Sequence, residues 1–118
     1  MERYRMCEIA NLTFLFLIEV IQMKESKFQK EVIDEIESRF PEAIIMKNDP
    51  NYIQGIPDLT ILYGNKWATL EVKKSKNAAH QPNQDHYVET MNNMSFSAFI
   101  FPENKEEVLN ELAQSFES

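Results

Sequence analysis

Two carboxylates and a lysine stand at positions where they could share one chemical task. Two β-rich runs, 58–63 and 66–74, are separated by the dipeptide Gly64-Asn65, which is typical of a two-residue hairpin turn. If Tyr63 pairs with Lys66, the register also sets Asp58 opposite Glu71. Side chains alternate along a strand, so Lys73 lies on the same face as both carboxylates. The sequence therefore predicts a cluster of two acids and one lysine.

Such a cluster has the chemistry of a metal site. Like charges directly opposite each other on a strand pair cost about 1 kcal/mol, and a divalent cation removes that cost. Carboxylate, carbonyl and water oxygens suit Mg²⁺ or Mn²⁺, whereas zinc prefers His or Cys, and His80 and His86 are too few and badly spaced. A lysine beside the cation can orient a nucleophile or stabilise charge on a phosphate. These parts fit the hydrolysis of a phosphodiester.

The first half of the chain contains the elements that must position this cluster. Apolar residues at three- and four-residue spacing predict an amphipathic helix over 24–40, which Pro41 ends. Ser26 with Gln29 could form a capping box at its start. A short apolar run, 43–46, predicts a strand, and the polar, Gly- and Pro-containing segment 48–57 predicts a long irregular loop.

The second half completes an alternating pattern. Pro82 suits the first turn of a helix that runs to about residue 93, and 97–101 reads as a strand. The last helix carries a capping pair, Asn104 with Glu107, and a buried stripe. The order is helix, strand, hairpin, helix, strand, helix. We therefore expect an α/β sandwich-like domain.

Composition limits the class of protein. A chain of 118 residues with 43% hydrophobic and 26% charged residues is the size of one globular domain. The net charge of −7 disfavours a general nucleic-acid coat, so any polyanion site must be local. One cysteine, Cys7, permits no intramolecular disulfide and favours the cytosol. The apolar run 12–18 is too short to span a membrane, and we expect neither an anchor nor a signal peptide.

Several motifs resemble a known nuclease family. Pro57-Asp58 followed by Glu71-Val72-Lys73 resembles the signature of the PD-(D/E)XK superfamily. The segments ESKFQ at 25–29, GIPDL at 55–59 and PNQ at 82–84 are similar to motifs of its VRR-NUC family, specifically the small stand-alone type encoded by bacteriophages. The resemblance spans about 24–113. Residues 1–22 have no counterpart there, so we divide the chain into an extension, 1–22, and a nuclease domain, 23–118.

The resemblance implies a restriction-endonuclease-like core, α-β-β-β-α-β plus a C-terminal helix, and a set of site residues. Asp58, Glu71 and the backbone carbonyl of Val72 would hold Mg²⁺ or Mn²⁺, with Lys73 assisting the nucleophile. Glu25 would complete the metal shell through water. Gln84 would contact the attacking water, the metal shell or the DNA backbone.

Some assignments remain open at the sequence level. Glu31 and Glu35 lie on the same helix as Glu25, and either could be the inward acid; Gln81 is an alternative to Gln84. Lys74 and Lys76 are candidate phosphate contacts. Residues 1–22 are either an additional element packed on the domain or an upstream extension before a start at Met23.

The functional expectation that follows is a Mg²⁺- or Mn²⁺-dependent endodeoxyribonuclease. It would be structure-selective, cutting branched or flap-containing DNA in phage replication, recombination or repair, in the host cytoplasm. A homodimer is plausible, with apolar N-terminal residues as one interface. The alternative is a catalytically silent module on the same fold that binds nucleic acid or protein.

Overall fold

The computed structural model describes the backbone of residues 2–118 and the side chains of residues 11–118, so the Cys7 side chain lies outside the described residues. The chain forms a mixed α/β domain in the predicted order. Its elements are α1 Glu2–Arg39, β1 Ile44–Lys47, β2 Leu59–Tyr63, β3 Lys66–Val72, α2 Gln84–Met94, β4 Phe96–Ile100, a 3₁₀ turn Pro102–Asn104 and α3 Lys105–Glu117.

The four strands form one sheet in the order β1-β2-β3-β4. The strand β2 is antiparallel to both β1 and β3, and β4 runs parallel to β3 after the crossover through α2. Tyr63 pairs with Lys66 and Thr60 with Thr69, which confirms the predicted hairpin register. Because the connection is only two residues long, the turn fixes the pairing along both strands.

The hydrophobic core lies on one face of this sheet. Leu59, Ile61 and Leu70 are fully buried there. They pack with apolar stripes of α1 and α3, represented by Val32 and Leu112, which are also fully buried. The helix α2 covers the opposite face, where it contacts β3 and β4. The strand face that carries Glu71 is therefore covered by a helix.

The first helix differs most from the prediction. It begins at Glu2 and runs without interruption through Ser26, so there is no helix start and no capping box at Ser26 and Gln29. No Pro or Gly occurs before Pro41 to break it. Large apolar side chains such as Leu12 and Phe14 in its first half are 63% exposed. Within the described residues, no helix is long and apolar enough to cross a membrane.

The two later helices begin differently from the prediction. Pro82 lies outside α2: Asn83 is the N-cap, with φ of 74°, and Gln84 is the first helical residue. Asn104 is the N-cap of α3 but does not cap it with its side chain. Instead its Oδ1 accepts a hydrogen bond from the Phe101 N–H (2.8 Å) and its Nδ2 donates to the Phe99 carbonyl (3.1 Å).

Candidate active site

Asp58 and Glu71 meet where the hairpin strands end. Asp58 directly precedes β2, and Glu71 lies one residue before the end of β3. The Asp58 Oδ2 atom accepts a hydrogen bond from the backbone N–H of Val72 at 2.9 Å, which ties the loop carboxylate to the neighbouring strand. The two carboxyl groups are close enough to share a hydrogen bond when one is protonated. The register thus produces the juxtaposition that the sequence suggested.

Glu71 is held in an unfavourable environment for a charge. Its residue is only 3% exposed. Burial, then the hydrogen bond that protonated Glu71 donates to Asp58, then the Asp58 charge raise the pKa of Glu71 from an ordinary value near 4.5 to about 9; Lys73 opposes this shift. Its Oε2 atom is buried, and no hydrogen-bond partner among the described residues reaches it. An unpartnered acceptor beside a second carboxylate is a natural ligand for a cation.

Lys73 and Gln84 form the donor side of the site. The Lys73 residue is 5% exposed, and its Nζ donates to the Gln84 Oε1 (2.7 Å) and to the Ala79 carbonyl (3.1 Å). The Gln84 Nε2 donates in turn to the Glu71 Oε1, at 3.4 Å. Gln84 therefore bridges the lysine and the buried acid, and it is the glutamine whose side chain enters this network.

Of the three alternatives Glu25, Glu31 and Glu35, Glu25 is the one that faces the site. It lines a cavity together with Asp58, and its charge contributes to the raised pKa of Glu71. Glu35 instead forms ion pairs with Arg39 (3.1 Å) and Lys105 (3.0 Å). The charge of Glu31 likewise acts on Lys105. The geometry thus selects Glu25 from the three alternatives.

These side chains open onto a cleft of about 400 Å³, which we call the acidic cleft. Its functional lining consists of Glu25, Asp58, Glu71, Lys73, Lys74 and Gln84. Gln81 also lines it, and the Gln81 backbone N–H donates to the Gln84 side chain at 2.7 Å. Lys76 is exposed outside this lining, and its backbone N–H donates to Glu103 at 2.8 Å. Of the two candidate phosphate contacts, Lys74 is the one at the cleft.

The residues fit a divalent cation with two direct carboxylate ligands. Within residues 11–118, no three His, Cys, Asp or Glu side chains come together as a ligand group. Asp58 and Glu71 would therefore need oxygens from the backbone and from water. Val72 lines a cavity with Asp58, and its carbonyl points to the same strand edge as the N–H that binds Asp58. Such an all-oxygen set suits Mg²⁺ or Mn²⁺.

Sequence reasoning missed two parts of this arrangement. The Ala79 carbonyl binds Lys73, and no side-chain pattern announces a backbone acceptor. Asn48 also anchors the loop that precedes Asp58: its Nδ2 donates to the Pro57 carbonyl (2.9 Å) and its N–H to the Asp58 carbonyl (2.8 Å). An asparagine directly after a strand is a signal that could have indicated this role.

Comparison of the chain with models of protein families, with curated proteins and with solved structures found no match. The geometry and chemistry of the site are therefore the basis for assigning a function.

Proposed function

We propose that this chain is a divalent-metal-dependent nuclease that hydrolyses DNA phosphodiester bonds. The observation that carries the proposal is the buried Glu71 carboxyl, whose Oε2 has no hydrogen-bond partner among residues 11–118 while Asp58 lies beside it. Burying two adjacent acids lowers the stability of the fold, so stability alone does not explain why they share a cleft with a lysine and a glutamine. A cation would explain why they coexist.

Each residue has a separate task in this proposal. Asp58 and Glu71 would hold the cation, together with the Val72 carbonyl, and Glu25 would contribute to its shell from α1. When bound, Mg²⁺ or Mn²⁺ would polarise the phosphate and lower the pKa of water. Lys73 stabilises negative charge at the phosphate. Gln84 holds Lys73 and Glu71 in position through one hydrogen bond to each.

The wider assignment is a VRR-NUC-type nuclease on the PD-(D/E)XK core. Its support is the order of the elements, α-β-β-β-α-β followed by a helix, together with the motifs at 55–59, 71–73 and 82–84. We extend the proposal to a structure-selective endonuclease that acts on branched or flap-containing DNA. The domain has little surface from which to read a base sequence, which is why we propose selection by DNA structure.

The test is cleavage of a labelled panel of duplex, single-stranded, flap and four-way-junction DNA with Mg²⁺ or Mn²⁺. Wild type is compared with Asp58→Asn and Glu71→Ala, and with Glu111→Gln as a control at an exposed acid of α3. We expect wild type and the control to cut and both site variants to be inactive. Equal cleavage by wild type and both site variants would refute the proposed site.

The silent binding module is the competing outcome. If wild type cuts no substrate with either metal, while Asp58→Asn binds DNA with wild-type affinity, the fold serves binding alone. Binding of Mn²⁺, measured by calorimetry and lost in Asp58→Asn, would still favour a metal site over a purely structural domain.

A further inference from the structure

The loop that leads into the acidic cleft has a fixed conformation. Besides its bond to the Pro57 carbonyl, the Asn48 Nδ2 donates to the Thr60 Oγ1 at 2.8 Å, so one side chain joins the start of the loop to β2. Asp49 then organises a turn: its Oδ1 accepts from the Asn51 N–H (2.8 Å), and its carbonyl accepts from the Tyr52 N–H (3.2 Å). The loop is therefore preorganised by its own hydrogen bonds.

The far end of the loop is docked against the start of α2. Gly55 has φ of +90°, and a Cβ at this position would lie 2.7 Å from the Cβ of Asn83. Only glycine allows this approach. Since Asn83 immediately precedes Gln84, the same contact connects the loop to the donor side of the acidic cleft.

Tyr52 projects from this ordered loop into solvent. Its residue is 85% exposed, the largest value among the exposed large hydrophobic residues described, and Ile53 beside it is 37% exposed. A cavity of about 440 Å³, which we call the loop cavity, lies under them. Its lining consists of Asn48, Asp49, Tyr52, Ile53, Ile56 and Thr60. This volume falls in the range of small-molecule sites.

The charge of the loop cavity distinguishes it from the acidic cleft. Its lining includes the Asp49 carboxylate and, among the side chains that the structure describes, no lysine or arginine, so it would repel a phosphate group. The acidic cleft, in contrast, carries Lys73 and Lys74. An aromatic ring, two isoleucines and hydrogen-bonding groups suit the flat face and polar edge of a nucleobase.

Its position suits a nucleotide next to the reacting phosphate. Thr60 in the lining of the loop cavity follows Asp58 by two residues, which is at most about 7 Å of chain. This separation is comparable with that of neighbouring nucleotides in one strand. A phosphate at Asp58 and a base in the loop cavity beside Thr60 could therefore belong to the same DNA strand.

We propose that the loop cavity binds an unpaired nucleobase stacked on Tyr52, beside the phosphate that the acidic cleft receives. This inference rests on the proposed nuclease function and names its substrate class. A paired base is stacked within its duplex and cannot enter the cavity without leaving the stack. The site therefore selects single-stranded or flap DNA over continuous duplex.

The test measures stacking directly and does not require cleavage. A single-stranded oligonucleotide with one 2-aminopurine is titrated with protein in Ca²⁺, and the probe is moved base by base along the strand. We expect quenching at one position with wild type and with Tyr52→Phe. Tyr52→Ala should abolish that quenching and bind the strand about tenfold more weakly, as is typical for loss of one aromatic stack. Met94→Ala, at another exposed large side chain, should behave as wild type.

The outcomes separate this inference from the nuclease proposal. If wild type quenches the probe through Tyr52 but cuts no DNA with Mg²⁺ or Mn²⁺, the base site stands and the nuclease proposal fails. If the protein cuts DNA, and Tyr52→Ala binds and quenches as wild type does, the base site is refuted. Absence of single-strand binding by wild type also refutes it. Because Tyr52 is so exposed, all variants should unfold at the wild-type temperature, which thermal scans verify.

Discussion

Two glutamates of this domain lie in opposite electrostatic environments. Glu35 on α1 has a side chain 25% exposed and pairs with Arg39 and Lys105. Its pKa is lowered, chiefly by the hydrogen bond from Lys105. Glu71 in β3 is 3% exposed and lies beside Asp58, and its pKa is raised to about 9. The surroundings of Glu35 stabilise its ionised form, and the surroundings of Glu71 destabilise its ionised form.

The difference separates a structural ion pair from a candidate active site. The cations that surround Glu35 join the end of α1 to α3, an arrangement in which charge supports the fold. At Glu71 the fold buries an acid next to another acid, which costs stability unless a proton or a cation is present. Strongly perturbed carboxyl groups of this kind concentrate at functional sites.

The largest expected difference concerns cleavage. Glu71→Gln keeps the shape of the side chain but removes a cation ligand, so we expect the kcat/KM for DNA to fall at least about a thousandfold, since cation stabilisation supplies several kcal/mol of the barrier reduction. Glu35→Gln should stay within about twofold of wild type. Both are measured on the best substrate of the panel. Comparable losses in the two variants would show that the different environments of Glu71 and Glu35 do not distinguish an active-site residue from a structural one.

The next difference concerns stability against pH without divalent cations. The folded-state pKa of Glu71 is raised above its unfolded value, so its contribution to stability is complete below pH 4.5 and is lost as pH rises through about 9. We expect the free energy of unfolding to decrease by a few kcal/mol over this interval in EDTA. Urea titrations at a series of pH values measure it.

Two variants control this pH profile. Glu71→Gln should flatten the alkaline decrease and be more stable than wild type near pH 9. Glu35 has a lowered pKa, so its contribution is present above its unfolded pKa and is lost as pH falls. Glu35→Gln should therefore change only the acid side. An unchanged alkaline slope in Glu71→Gln would show that another group causes it.

The protonation of Glu71 should also make the affinity for a divalent cation depend on pH. Cation binding must displace the proton that Glu71 carries below pH 9, so the Mn²⁺ association constant should increase about tenfold per pH unit between pH 6 and 8. Calorimetry in two buffers of different ionisation enthalpy should detect release of about one proton. Glu35→Gln should retain this dependence. A pH-independent affinity would contradict it.

The sequence predicted the hairpin part of the site because local geometry determines it. A two-residue turn fixes the register, and the register sets Asp58 opposite Glu71 whatever surrounds them. The burial of Glu71 and Lys73 was not predictable in this way. It depends on α2 covering that sheet face and on the Ala79 carbonyl, which are tertiary features.

The choice among Glu25, Glu31 and Glu35 also depended on tertiary contacts that the sequence does not reveal. Helical periodicity alone left Glu25, Glu31 and Glu35 as alternatives. The structure separates them because Lys105, 70 residues further along the chain, attracts Glu35 to α3. Likewise, periodicity identified the packed part of α1 but not where the helix begins, since no side chain of residues 11–20 belongs to the hydrophobic core.

A smaller effect is expected when the Glu35 ion pairs are broken. Lys105→Met removes one of the two cations that hold Glu35 and should reduce the free energy of unfolding by about 0.5–1 kcal/mol at pH 7, because partly exposed pairs contribute little. The loss should shrink in 1 M salt, which screens the pair. Lys30→Met provides the control, since its pair with Asp34 is far more exposed and its removal should cost less. Equal losses in both variants would contradict this difference.

The smallest effect concerns the two lysines that follow Lys73. Lys74 lines the acidic cleft, whereas Lys76 lies outside it, so only Lys74 should contact the DNA backbone. Each phosphate contact contributes about −0.9 to the slope of log affinity against log salt for duplex DNA, and about −0.7 for single strands. Lys74→Gln should therefore make this slope less steep by about one such contact, and Lys76→Gln should leave it unchanged. Equal changes of the slope in the two variants would show that the DNA backbone does not follow the acidic cleft.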